Sequence, residues 1–213
     1  MDIKPKITIV GCGPGALDYL TPAARAAIES ATALVGAPRL LDSFSAQQAE
    51  RIAVRTDIEA VLDQIAARAA SKKVVVLVTG DPGLCSLAKP VIKRFGREAC
   101  QVIPGVSSVQ MAFARVGLDW LDARIISAHD RTPEVSHTAL AGEKKIAILA
   151  GNDTNQPWIV SLAVALTASH QIFVCENLTL SDERVRRIAP SELQTMKLAS
   201  RAIVLLLHNE VLQ

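Results

Sequence analysis

The chain has 213 residues, half of them hydrophobic, enough for one large α/β domain or two of roughly 100 residues each. Its 23 basic and 21 acidic residues leave a net charge of +2, which argues against a polyanion partner and hence against nucleic acid. One Tyr, two Trp and four Phe are too few for the stacking platforms of a single-strand binder.

Taken in order, Ile7-Thr8-Ile9-Val10 predicts a β-branched strand that stops in the turn Gly11-Cys12-Gly13-Pro14-Gly15. Leu17, Leu20, Ala24, Ala27, Ile28 and Ala31 then recur at helical spacing, with Thr21-Pro22 as cap and first-turn proline. Short strands are expected at 33–36 and 51–54, and an amphipathic helix on Ile58, Val61, Leu62, Ile65, Ala66 and Ala69. Residues 73–79 form a continuous apolar run, the mark of a strand buried on both faces of a parallel sheet. It ends in Gly80-Asp81-Pro82-Gly83, with a helix to about Phe95, a strand at 99–103, the turn Pro104-Gly105-Val106-Ser107-Ser108 and a helix to Val116. This βαβα alternation implies a mostly parallel sheet covered by helices on both faces. Three of its strands end in Gly or Pro turns at one edge, where ligands of open α/β sheets bind.

Gly117-Leu118-Asp119-Trp120-Leu121-Asp122 breaks the rhythm, so the expected domains are 1–118 and 119–213. The second half reads as strands at 123–127, 145–149, 171–175 and 202–207, a polar stretch at 129–142, a helical face on Trp158, Ile159, Leu162, Ala163 and Leu166, and a charged edge strand within 181–187. Cys12, Cys85, Cys100 and Cys175 make no C-x-x-C pair and stand apart from the four histidines, so they read as small buried hydrophobes in a reducing cytosol, with no metal expected. Residues 1–6 suit no signal peptide, and the longest apolar runs, 74–78 and 202–207, are too short to span a membrane, so a cytoplasmic protein is expected.

The turn Gly11-Cys12-Gly13-Pro14-Gly15-Ala16 formally matches a dinucleotide fingerprint, and three readings stand: a turn without ligand, a dinucleotide site, or a site for S-adenosylmethionine. Pro14 lacks the N–H that a pyrophosphate needs. The second strand ends in Gly36-Ala37-Pro38-Arg39, without the ribose-binding acid of a dinucleotide fold. Both features count against an NAD-dependent oxidoreductase. The missing acid also counts against the common Rossmann-like methyltransferases. Asp81 before Pro82, and Ser107 or Ser108, serve equally as helix caps and as ligand contacts, because both uses lie at an exposed helix start. An unperturbed imidazole titrates near neutrality, so His129 suits a base; support of a substrate carboxylate is the other reading. Arg131, Arg115, Arg39 and Lys89 lie near the loops and suit carboxylate contacts, or are solvated surface charges.

Three motifs in order, Val10-Gly11-x-Gly13-Pro14-Gly15-x-x-x-x-Leu20-Thr21, Gly80-Asp81-Pro82 and Pro104-Gly105-x-Ser107-Ser108, resemble the tetrapyrrole methylase family over the whole chain. Within it, residues 103–115 followed by Ala123-Arg124-Ile125-Ile126-Ser127-Ala128-His129-Asp130-Arg131 are similar to the branch that methylates carbon 5 of cobalt-precorrin-7 in cobalamin synthesis. Asp130 stands where that branch commonly has glycine. The resemblance implies two α/β domains, with a mostly parallel N-terminal sheet, a mixed C-terminal sheet and S-adenosylmethionine in a cleft between them. It implies cofactor contacts at Pro14, Thr79, Gly80, Asp81, Leu84, Ser107, Ser108, Ala150 and Leu178, and catalytic roles for His129 and Arg131. It also implies a corrinoid precursor as substrate, a homodimer, and a decarboxylating C15-methyltransferase on a separate polypeptide. Methylation of another ring carbon, or of the cobalt-free precursor, stays open.

Overall fold

The computed structural model describes residues 6–45, 48–129, 131–151 and 153–213. Asp130 and Asn152 lie outside the described residues. The chain divides after Ser107 into two compact units. The break in sequence rhythm comes later, at Gly117.

The first unit holds β1 (Ile7–Gly11), α1 (Pro22–Glu29), β2 (Ala33–Gly36), α2 (Pro38–Ser43), β3 (Glu50–Ala53), α3 (Ile58–Ala69), β4 (Val74–Val78), α4 (Ala88–Phe95) and β5 (Cys100–Ile103). The strands pair in the order β3-β2-β4-β1-β5, all parallel. Period-2 alternation explains why β4 is apolar throughout. Val74, Val76 and Val78 join Ile7 and Ile9 under α3 and α4, packing on Val61, Leu62, Ile65 and Val91. Val75 and Leu77 join Val10 on the opposite face, against Ala24, Ile28, Leu40 and Leu41 of α1 and α2.

Helix α1 starts later than the apolar spacing suggests. Residues Leu17–Tyr19 form one 3-10 turn, and the Thr21 hydroxyl then caps α1 by accepting from Ala24 N–H at 3.1 Å. Proline at N1 fixes the start at residue 22. Helix α4 likewise begins at Ala88, with no side-chain cap, rather than directly after Asp81-Pro82. Residues 81–87 form a turn closed by the Ser86 hydroxyl, which donates to Pro82 O at 2.6 Å and accepts from Ala88 N–H at 3.1 Å.

The second unit holds α5 (Ser108–Val116), β6 (Arg124–Ser127), α6 (His137–Leu140), β7 (Lys145–Leu149), α7 (Gln156–Ala165), β8 (His170–Glu176), β9 (Arg184–Ile188), α8 (Pro190–Thr195) and β10 (Ile203–His208). Its strand order is β6-β7-β10-β8-β9. β6 and β7 are parallel, while β10 runs antiparallel to both of its neighbours, β7 and β8. β9 is an edge strand antiparallel to β8, as its charge suggests. Ile146, Ile148, Val174, Val204 and Leu206 face Ile159, Leu162 and Leu193 of α7 and α8. α5 buries Val109, Met111, Ala112 and Phe113 and packs beside β10, which is why it belongs to this unit.

Candidate functional site

Because β4, β1 and β5 are parallel neighbours, their carboxyl ends adjoin, and the three glycine turns meet there. Gly13 and Gly80 form an isolated β-bridge: Gly80 N–H donates to Gly13 O at 2.8 Å, and Gly13 N–H donates to Gly80 O at 3.3 Å. Both take positive φ, +76° and +67°, which L side chains rarely adopt. Gly11 and Gly105 are required for a different reason. A Cβ on Gly105 would stand 2.5 Å from Gly80 O and 2.7 Å from Gly11 O. A Cβ on Gly11 would stand 2.6 Å from Gly105 N. The turns are therefore packed backbone against backbone.

The Asp81 carboxylate stitches them together. Its Oδ1 accepts from Gly83 N–H at 2.7 Å and its Oδ2 from Gly105 N–H at 3.1 Å. Asp81 thus caps no helix; α4 starts seven residues later and leaves it to tie the β4 turn to the β5 turn. Pro14 is buried in the first turn, Thr79 and Leu84 are half-buried, and Ser107 is 5% exposed. The Thr79 hydroxyl accepts from the Arg39 guanidinium, which reaches it from α2. Lys89 stands exposed on α4. Burial pushes the Cys12 thiol up to about 12, so no thiolate is on offer beside the first turn.

In the second unit, β10 reverses direction, so β6, β7 and β8 all run the same way and their carboxyl ends share one edge. His129 follows β6 and is exposed. Its imidazole lies over Gly151, where a Cβ would stand 1.6 Å from Nδ1. The structure therefore brings His129 and the turn after β7 together. Ala150 is buried in that turn, its N–H donating to Ala202 O at 3.0 Å. Leu178 is buried after β8, on the far side of β10, between Asn177 and Thr179, which both take positive φ. Ser108 opens α5. Arg131 is exposed and lies 3.9 Å from Glu134.

Arg115 is held at 2.5 Å by Glu183, whose carboxyl is kept below its usual range chiefly by that bond. The same carboxylate also takes Thr179 N–H, so Arg115 braces the turn that carries Leu178. Sequence reasoning passed over Asn155. It is 2% exposed, and its amide bonds Ala128 O at 2.7 Å and the Thr132 hydroxyl at 2.9 Å. Its place before Gln156-Pro157 reads as a helix cap, which hides this use.

Known proteins resemble the chain in sequence and in fold. The family described as Tetrapyrrole (Corrin/Porphyrin) Methylases matches residues 6–194. A cobalt-precorrin-7 C(5)-methyltransferase of Salmonella typhimurium is 38% identical over 180 residues, covering 84% of this chain and 88% of the relative. A decarboxylating precorrin-6Y C(5,15)-methyltransferase of Mycobacterium tuberculosis is 32% identical over 164 residues, 76% of this chain but 40% of its own length. In fold, the chain is similar to the uroporphyrin-III C-methyltransferase of Thermus thermophilus crystallised with S-adenosylhomocysteine: TM-score 0.75, 18% identity, 94% of this chain and 91% of that one. A backbone-lined turn cluster on a parallel sheet, a mixed second sheet and a match across most of the sequence agree: this chain belongs to the tetrapyrrole methylase family.

Proposed function

We propose that the chain transfers the methyl group of S-adenosylmethionine to carbon 5 of cobalt-precorrin-7. The observation that carries this is the 38% identity, over most of both chains, to a relative bearing that activity in its name. The 32% identity to a precorrin-6Y methyltransferase supports a second reading, the cobalt-free precursor. The net reaction replaces a ring C–H by C–CH3, releasing S-adenosylhomocysteine and a proton.

The first unit's turn cluster suits such a donor. Its turns are joined through backbone at Gly11, Gly13, Gly80 and Gly105, and the turn after β2 carries no carboxylate to clamp a ribose. Of the donor contacts that the family resemblance implies, Pro14, Thr79, Gly80, Leu84 and Ser107 belong to the first unit and Ser108, Ala150 and Leu178 to the second. Asp81 acts by holding Gly83 and Gly105 in place. When bound, the sulfonium supplies an already activated methyl group. Holding the reacting groups in line and excluding water contributes up to about 7–11 kcal/mol in favourable cases. His129 is assigned as the group that takes the ring proton, and Arg131 as a carboxylate contact on the exposed edge beside it.

Four cysteines without a C-x-x-C pair suit a reducing cytoplasm, where we place this work. Among the described residues no helix is long and apolar enough to cross a membrane. A homodimer, and a C15 activity carried outside the matched region, complete the proposal; light scattering checks the first. The deciding experiment supplies labelled methyl donor and corrinoid, with and without cobalt, and reads the product by mass spectrometry and NMR. A label on carbon 5 is expected. A label elsewhere, or none, sinks the reading.

A further inference from the structure

We infer that Asn155 is a positioning residue that holds Ala128 and Thr132, on either side of His129 and Arg131, for the chemistry of His129. The inference rests on the role proposed above for that histidine. Asn155 precedes α7 as the last residue of the 3-10 turn Asp153–Asn155, with αR backbone (φ −97°, ψ −4°) in place of the extended conformation of a capping asparagine. Here it makes no side-chain cap bond. The residue is 2% exposed, and its amide bonds outside its own helix. Nδ2 donates to Ala128 O at 2.7 Å, and Oδ1 accepts from the Thr132 hydroxyl at 2.9 Å. A backbone carbonyl can only accept, which sets the amide orientation. One side chain therefore grips the residues just before and just after His129 and Arg131.

The grip is anchored. Ala128 is fully buried, and its N–H donates to Leu149 O at 3.0 Å, which ties that end to β7. Gly151 adds the second constraint: the imidazole occupies the space that any side chain there would need. An exposed turn carrying two long polar side chains samples several backbone states unless something narrows them. The amide of Asn155 sets the backbone and Gly151 leaves the ring its place.

The test compares Asn155→Asp, Thr132→Val and Thr132→Ser. The first keeps an acceptor for Thr132 but faces Ala128 O with oxygen. The second removes the hydroxyl that Asn155 accepts from, at a residue that is itself exposed, and the third restores that hydroxyl. Each is assayed for kcat and KM on the corrinoid, for S-adenosylhomocysteine affinity by calorimetry, and for the His129 imidazole resonances by NMR. Asn155→Asp is expected to lose about 10- to 100-fold in kcat with donor affinity unchanged. Thr132→Val should lose less, Thr132→Ser should recover, and the His129 resonances should shift or broaden in step with kcat. Unchanged kcat and resonances in the first two variants overturn the inference. So does a loss of kcat matched by an equal loss of donor affinity, which marks a structural role. If the wild-type protein methylates no corrinoid, the proposed function falls, and the His129 resonances still decide whether Asn155 holds the turn.

Discussion

Gly105 and Asp81 show how little freedom the first turn cluster allows. In Gly105→Ala the new methyl would meet Gly80 O and Gly11 O, both backbone atoms that cannot swing aside. Separating the turns should cost about 1–3 kcal/mol and weaken S-adenosylhomocysteine binding, read by denaturant unfolding and calorimetry. Asp81→Asn tests the stitch. An amide offers one oxygen where two N–H groups now bond, so one donor loses its partner, at about 1–3 kcal/mol. If Asp81 served only as a surface cap, the loss would be smaller and Gly105 would be undisturbed. The three turns were legible in the sequence because Gly and Pro mark sharp backbone directly. Asn155 was not, because its contacts at Ala128 and Thr132 lie more than 20 residues away and its local setting imitates a cap.

Among the elements, a strong local pattern made two plain in the sequence. β4 was legible because burial on both faces leaves a continuous apolar run, and α3 because three turns of period 3.6 fit few other structures. α2 and α8 were missed: each has six residues, too few to show a period, and is begun by Pro38 or Pro190. α1 carries a clear cap, and Thr21→Ala should lower stability by about 1 kcal/mol in chemical denaturation. The end of α3 is tied to the start of β3 by Glu50, which accepts from Arg68 and Lys72. Those bonds, Arg68 first, hold the Glu50 carboxyl at about 2. A carboxyl held below its unfolded value stabilises above that value, 4.5, and the benefit is lost as pH falls through about 2. Glu50→Gln should therefore flatten the acid limb of stability between about pH 5 and 2, followed by thermal melts.

At the scale of the whole molecule, the two units carry separate acid-sensitive groups. His170, in the second, is buried, with Nε2 on Glu143 O at 2.8 Å and Nδ1 on the Ser169 hydroxyl at 2.8 Å. Burial, reinforced by nearby His208, holds its imidazole below the ordinary 6.5. The folded form prefers it neutral, so its contribution is present above 6.5 and is lost as pH falls through the lower folded value. His170→Gln should remove the decline just below 6.5 and leave the Glu50 window intact; the melting temperature of both variants from pH 8 to about 2 separates the two. The strand order carries a kinetic consequence as well. All of the first unit's strands lie before residue 104, so that sheet can close while the rest is still being synthesised. In the second unit β7 and β8 do not pair with each other; each pairs with β10, made later than both. Until residues 203–208 have left the ribosome, two apolar strands stand with an open edge, the state in which nascent chains aggregate or recruit chaperones.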